Sequence, residues 1–142
     1  MIKLILIVFI YLGALESMFA QSEFWEQIRY FHQSEFYGGA HEINRQLVLY
    51  IDEVRHQYGK PIYINSGVRS IAHNNHIKGA SNSLHIKGAA IDLSATQGPQ
   101  RYELLWFLMK VSDEMSIPIK VIIYRRHIHV AMWGERYLTV RE

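Results

Sequence analysis

Residues 83–93 read SLHIKGAAIDL and place His85 and Asp92 seven positions apart. The small residues from Gly88 to Ala90 between them let two stretches of backbone approach closely. If residues 89–94 form a strand, its two-residue period puts Asp92 among small neighbours on one face and the apolar side chains on the other. Burying an unpaired carboxylate in such a strand is costly, so Asp92 needs a cation or strong hydrogen-bond donors.

A second segment, residues 121–132, is dense in β-branched and aromatic residues, which predicts one long strand. Strand alternation puts His127 and His129 on one face and an apolar series on the other. Taken alone, the first segment has a plainer interpretation, in which its carboxylate caps a helix or accepts backbone N–H groups and its histidine lies at the surface. The paired histidines of the second segment instead favour a metal site.

Two imidazoles and one carboxylate leave one position open on a tetrahedral zinc ion, which is the arrangement of a catalytic site. Zinc can lower the pKa of a water in that position from about 15.7 to about 7, and it can polarise a scissile carbonyl. The chain contains no cysteine, so thiolate ligands are excluded. Arg69, in the turn formed by residues 66–70, is a candidate donor to an oxyanion, although a single loop arginine is by itself a weak indication.

These motifs resemble those of the zinc D-alanyl-D-alanine carboxypeptidases, which belong to the hedgehog/DD-peptidase superfamily. The resemblance extends over residues 31–132 and is most specific in residues 83–92, where a Ser-x-His motif is followed by Gly-x-Ala-x-Asp. Further matching stretches are FHQSEF (31–36), GKPI (59–62), NSGVRS (65–70) and HIHV (127–130).

The resemblance implies roles for five side chains. The zinc ligands are His85, Asp92 and His129. The substrate contacts are Ser83 and Arg69, of which Arg69 steadies the scissile carbonyl. The resemblance also implies a zinc cofactor, a peptide substrate from the bacterial cell wall and a hedgehog/DD-peptidase-like fold.

Two positions depart from the family pattern. Many members have an acidic general base three residues before the last ligand, where this chain has Arg126, and an acidic residue two positions after it, where this chain has Ala131. Arginine cannot accept a proton. His127 is the expected substitute, because it shares a strand face with His129 and can exchange protons near neutral pH, unless it only hydrogen-bonds a ligand or a substrate carboxylate. Glu135 is a second candidate for the base.

Helical and strand patterns occur in separate blocks of the sequence. Apolar residues recur every three or four positions over residues 43–58, and a second helix is expected between residues 99 and 117. Residues 62–64 read as a short strand, and residues 68–83 read as a long functional loop. These blocks predict an α+β domain with a small, mostly antiparallel sheet and packed helices, in which residues 137–140 form the second arm of a terminal hairpin.

The composition and the N-terminal segment indicate the number of domains, the class of partner and the location of the protein. A chain of 142 residues fits one domain, and its scattered basic residues with a net charge of +2 argue against nucleic-acid binding. An apolar run from Leu4 to Leu15 predicts a secretory signal over residues 1–20, with a secreted or periplasmic working domain over residues 21–142. The alternatives are an uncleaved membrane anchor and a buried helix of the domain.

The sequence therefore predicts a zinc peptidase that hydrolyses peptide bonds in peptidoglycan stem peptides or cross-links, of D,D-carboxypeptidase or endopeptidase type. Two other functions stay open. One is a catalytically silent zinc-containing domain that binds cell-wall peptides or a protein partner, and the other is an α+β domain without metal. Turnover of a peptide distinguishes the enzyme from the binding domain, and bound metal distinguishes both from the third.

Overall fold

The computed structural model of the chain describes residues 2–36, 38, 42–94, 98–135 and 137–141, with the backbone alone over residues 2–9. Its helices are α1 (Ile2–Glu26), α2 (Arg45–Tyr58), α3 (Ile71–His76) and α4 (Pro99–Glu114), with a short 3-10 helix at Gln33–Phe36. Its strands are β1 (Ile64–Ser66), β2 (Ala90–Ser94), β3 (Ile119–Ile123), β4 (His127–Met132) and β5 (Tyr137–Val140). The fold is α+β, as the sequence predicts.

The strands form one mixed sheet in the order β1-β2-β4-β3-β5. The pairs β1/β2, β2/β4 and β4/β3 are antiparallel, whereas β3 and β5 are parallel. The expected mostly antiparallel sheet is therefore wrong in this respect, and residues 137–140 do not form a hairpin with β4. β4 is already paired with β2 on one side and with β3 on the other. The chain therefore crosses beyond the start of β3, and β5 pairs with the free edge of β3.

Residues 121–132 are divided between two strands, so the prediction of one long strand is also wrong. β3 and β4 are the antiparallel arms of a hairpin, and the chain reverses at residues 124–126. There the backbone N–H of Tyr124 donates to the carbonyl oxygen of His127 at 2.9 Å. This turn contains a tyrosine and two arginines and no glycine, proline or asparagine, so its composition does not distinguish it from the strands around it.

The ends of α2 are set by its capping residues. α2 begins at Arg45, slightly later than its apolar periodicity suggests, because the side chain of Asn44 accepts a hydrogen bond from the backbone N–H of Leu47 at 3.2 Å. It ends where Gly59 adopts a left-handed conformation with φ 68°. The predicted loop at residues 68–83 contains α3, a helix of six residues that is too short to produce a readable apolar period.

One face of the sheet packs against α2 and α4, and the opposite face carries the predicted site residues of β2 and β4. Alternate residues of β2 and β4 point into a shared hydrophobic core with both helices. Burial of this apolar surface is the main source of stability for the fold. The core includes Leu47 and Ile51 of α2, Leu104 and Leu108 of α4, and Ile91, Leu93, Ile128 and Val130 of the sheet.

The N-terminal helix α1 runs continuously through the predicted signal boundary at residue 20. Its last turns join the core through the buried side chain of Phe24, and Ile28 follows just beyond the helix end. Within the described residues, no helix combines the length and the apolar character needed to cross a bilayer. Among the described side chains of α1, the exposed large apolar ones are Ile10, Tyr11, Leu12, Leu15, Met18 and Phe19.

A buried carboxylate in α2 forms hydrogen bonds with the segment that follows α1. Asp52 is 3% exposed and accepts hydrogen bonds from the backbone N–H groups of Arg29 and Tyr30 and from the Arg29 guanidinium. We expect Asp52→Ala to lower the free energy of unfolding by about 2 to 4 kcal/mol, because three hydrogen bonds to a buried carboxylate are lost together. Urea unfolding of the full chain measures this change.

The matched control for that prediction is Glu53→Ala. Glu53 contacts the same arginine at 2.6 Å but its side chain is 28% exposed, so its removal should cost about 1 kcal/mol or less. Equal effects of the two substitutions would show that Asp52 does not anchor this segment.

Candidate active site

Strand register brings two of the predicted ligands side by side. Asp92 of β2 lies directly opposite His129 of β4, so their side chains project from the same face of the sheet. Ser94 lies opposite His127, which puts His127 on that face two residues along the strand. The face is the one that the helices leave uncovered.

His85 reaches the same point from the turn that precedes β2, and it is 2% exposed. The turn depends on Gly88, which has φ 67° and packs so tightly that an added Cβ would lie 2.1 Å from the carbonyl oxygen of Glu42. The glycine of the sequence motif therefore allows the tight turn that positions His85 next to β2. The structure thus brings together His85, Asp92 and His129.

The three potential ligand atoms lie close to one another. Nδ1 of His129 is 2.8 Å from Oδ1 of Asp92. Nε2 of His85 is 3.2 Å from both of these atoms. Atoms bound to a tetrahedral zinc at about 2.0 to 2.1 Å are themselves about 3.3 Å apart. The donor set therefore has close to the spacing that zinc requires.

The chemistry of the donors also fits a cation. Nδ1 of His85 is 2.8 Å from the carbonyl oxygen of Gly67, and a carbonyl oxygen can only accept, so this nitrogen carries the proton. In the neutral ring, Nε2 then presents a lone pair to the Asp92 carboxylate. Two electron-rich atoms at 3.2 Å are stabilised by a metal ion between them, and the Gly67 carbonyl is the usual kind of outer-sphere partner for a ligand histidine.

Arg69 sits beside the ligands and contacts one of them. One guanidinium nitrogen pairs with Oδ2 of Asp92, and Nε donates to the hydroxyl of Ser66 at 2.9 Å. The backbone N–H of Arg69 donates to the carbonyl oxygen of His85 at 3.0 Å, which joins the two loops. Arg69 therefore orients the carboxylate ligand and also lines the cavity above it. The pairing with Asp92 is absent from the sequence prediction.

The surroundings keep Asp92 ionised. Burial raises the pKa of Asp92, but its interactions with His129 and His85 outweigh burial and hold that pKa well below the usual range of a carboxyl group. The carboxylate is therefore available as an anionic ligand throughout the neutral range.

His127 lies at the edge of the ligand cluster. Its Nε2 is 3.9 Å from Oδ1 of Asp92, and its ring stacks on Tyr124 with centroids 4.5 Å apart. Burial, opposed by the charge of Asp92, lowers the pKa of His127 below its usual value. The sequence prediction placed this histidine at the site, and the structure brings it there.

The three predicted ligands line an open cavity of about 540 Å³. Ser83, predicted to contact substrate, lies in its wall. Arg126 and Glu135 are exposed, and neither is among the described residues that line the cavity. Several lining residues had no role in the sequence prediction, and three of them are brought here only by the strand register and the chain path around β4. They are Lys120, Tyr124 and Trp133.

Two histidines and a carboxylate that line an open cavity, on an α+β sheet, define a candidate single-metal hydrolase. A family model described as Peptidase M15 matches residues 18–131, more than half of the chain. The chain belongs to this family of zinc-dependent peptidases of the D-Ala-D-Ala carboxypeptidase type, and its fold is of the hedgehog/DD-peptidase kind. None of the curated proteins with which the chain was compared matches it.

Proposed function

We propose that this chain is a zinc metallopeptidase that hydrolyses peptide bonds in peptidoglycan stem peptides or cross-links. The observation that carries the proposal is the convergence of three ligand atoms, beside an arginine, in a cavity wide enough for a peptide. Zinc held there would supply an activated water and would polarise the scissile carbonyl.

Three side chains around the predicted ligands would stabilise the oxyanion, accept a proton and hold the substrate. Arg69 is placed to donate a hydrogen bond to the carbonyl oxygen of the scissile peptide as negative charge develops on it. His127 is the proton acceptor within the cavity and can pass the proton to the leaving amine. Ser83, in the opposing loop, contacts the substrate peptide and keeps the scissile bond over the ligands.

The proposal includes a location outside the cytoplasm. Residues 1–20 would act as an export signal or as an uncleaved anchor, with the peptidase domain following from residue 21. The apolar run from Leu4 to Leu15 and the exposed apolar side chains along α1 support this part. A peptidoglycan substrate requires such a location, because the polymer lies outside the cell membrane.

Mass spectrometry of peptidoglycan fragments tests the proposed activity. The zinc-loaded full chain is incubated with purified stem peptides and with cross-linked dimers. Loss of a terminal D-alanine would identify a carboxypeptidase, and separation of the dimers would identify an endopeptidase. Unchanged fragments in the presence of folded, zinc-loaded protein would contradict the proposal.

We expect His127→Ala to lower kcat by about 10²- to 10⁴-fold, because the reaction loses its proton acceptor. Zinc content should stay near that of the wild type, since this residue is not one of the three predicted ligands. Steady-state kinetics at saturating zinc, with metal analysis of the same sample, checks both statements. His76→Ala, which removes an exposed histidine of α3, is the control, and an unchanged kcat for His127→Ala would assign the base elsewhere.

A binding domain without turnover is the second candidate function. The observation that favours it is Arg126, which occupies the usual position of the acidic base and lies exposed in the turn between β3 and β4. Calorimetry with the same stem peptides distinguishes the two functions. Peptide binding with no product would favour the binding domain, whereas product formation would exclude it.

A further inference from the structure

Lys120 brings an unneutralised positive charge to the cavity. It lies on β3 opposite Ala131, and its neighbour Ile122 lies opposite His129, so the lysine shares the sheet face that carries the ligands. Its side chain is among those that line the cavity. Among the ion pairs of the described residues, none involves this lysine.

Two aromatic rings hold the ammonium group without cancelling its charge. Nζ of Lys120 lies 4.6 Å from the ring centre of Trp133 and 5.2 Å from that of Tyr137. Cation–π contacts of this kind fix the position of a lysine and leave its N–H donors available to an anion. A cation that is held in place, and that has no ion-pair partner among the described residues, is suited to receive a carboxylate.

The distance from the ligands fits a particular group of the substrate. Lys120 lies on the strand next to His129 and is offset from it by two residues, so their Cα atoms are about 8 Å apart, and the long lysine side chain can cover part of that distance. One extended residue spans about 3.5 Å, and a charge-assisted hydrogen bond adds about 2.8 Å. A scissile carbonyl over the ligands therefore puts the carboxylate of a single following residue within reach of Lys120.

We infer that Lys120, fixed between Trp133 and Tyr137, binds the C-terminal carboxylate of the substrate and makes this peptidase a carboxypeptidase that removes one terminal residue. This inference rests on the proposed function. A bond inside a linear peptide has no free carboxylate at that position, so the same lysine disfavours cleavage of such bonds. Lys120 is a specificity residue, distinct from the groups that act on the scissile bond.

The test uses diacetyl-L-Lys-D-Ala-D-Ala with either a free C-terminal acid or a C-terminal amide. The zinc-loaded full chain should cleave the acid with a kcat/KM about 10- to 100-fold higher than the amide, the effect of one hydrogen bond between charged groups. Lys120→Met should lower kcat/KM for the acid to the level of the amide, mainly through KM, and leave the amide unaffected. Lys120→Arg keeps the charge and should retain the preference in part.

The control variant is Lys110→Met, which also removes a lysine from over a tryptophan ring but lies on α4, away from the cavity. It should keep the preference for the acid. Zinc content and circular dichroism confirm that each variant is folded and loaded.

Three results would overturn the inference or separate it from the proposed function. Equal losses on both peptides in Lys120→Met would mean that the lysine only supports the fold. Equal cleavage of acid and amide by the wild type would mean that no carboxylate is bound. If neither peptide is cleaved, the proposed peptidase activity is contradicted, and calorimetric binding of the two peptides tests the inference instead. Tighter binding of the acid that is lost in Lys120→Met would support the inference. Equal binding of the acid and the amide would overturn it.

Discussion

Replacing His129 with alanine should remove stoichiometric zinc binding and lower kcat/KM by about 10³-fold or more. Loss of a group that merely orients a ligand typically costs 10- to 100-fold in metal affinity or activity, and loss of a ligand costs more. His129 is central to the cluster, because its Nδ1 is within 3.2 Å of both other donor atoms. Removing it leaves only one histidine and one carboxylate, which is too few for a catalytic zinc site.

His73→Ala is the matched control for this variant. His73 is an exposed histidine on α3 and is not among the residues that line the cavity. Metal analysis after dialysis and hydrolysis of stem peptides should show both quantities unchanged for the control. Full zinc content and full activity in His129→Ala would contradict the assigned ligand set.

Replacing Arg69 with methionine should lower kcat by about 10²- to 10³-fold at saturating zinc, the usual cost of removing an oxyanion donor. The substitution also leaves Oδ2 of Asp92 without its guanidinium partner. Because that partner orients the carboxylate ligand, zinc affinity should fall as well, by about 10- to 100-fold. Steady-state kinetics over a range of zinc concentrations separates the two effects.

Two further variants sharpen the prediction for Arg69. Arg69→Lys keeps the charge but loses the forked geometry, so it should recover zinc affinity only in part. Arg126→Met removes an exposed arginine outside the cavity and should behave as the wild type. A kcat for Arg69→Met that equals the wild-type value at saturating zinc would exclude an oxyanion role.

The parts of the site that sequence could predict lie on regular strands. The two-residue period of β2 and β4 correctly placed Asp92, His127 and His129 on one face, because side-chain alternation depends only on the strand itself. The position of His85 required no more than a turn at Gly88. Strand alternation and the turn at Gly88 therefore explain how these four side chains come together at the candidate metal site.

The parts that sequence could not predict depend on contacts between distant segments. The Arg69–Asp92 pair and the Gly67 carbonyl behind His85 arise from two loops that meet only in the folded chain. The parallel pairing of β5 follows from which strand edges remain free, and that depends on the whole sheet. The same pairing brings Tyr137 to Lys120, so the position of Lys120 at the cavity could not be predicted from the sequence.

The most direct test of a zinc peptidase at this site is to measure the rate of stem-peptide hydrolysis while zinc is added to metal-free full-length chain. The rate should rise in proportion to bound zinc and level off at one ion per chain, and His129→Ala should stay inactive throughout. Product formation by the metal-free chain, or one bound zinc per chain with no product at any concentration, would contradict the account.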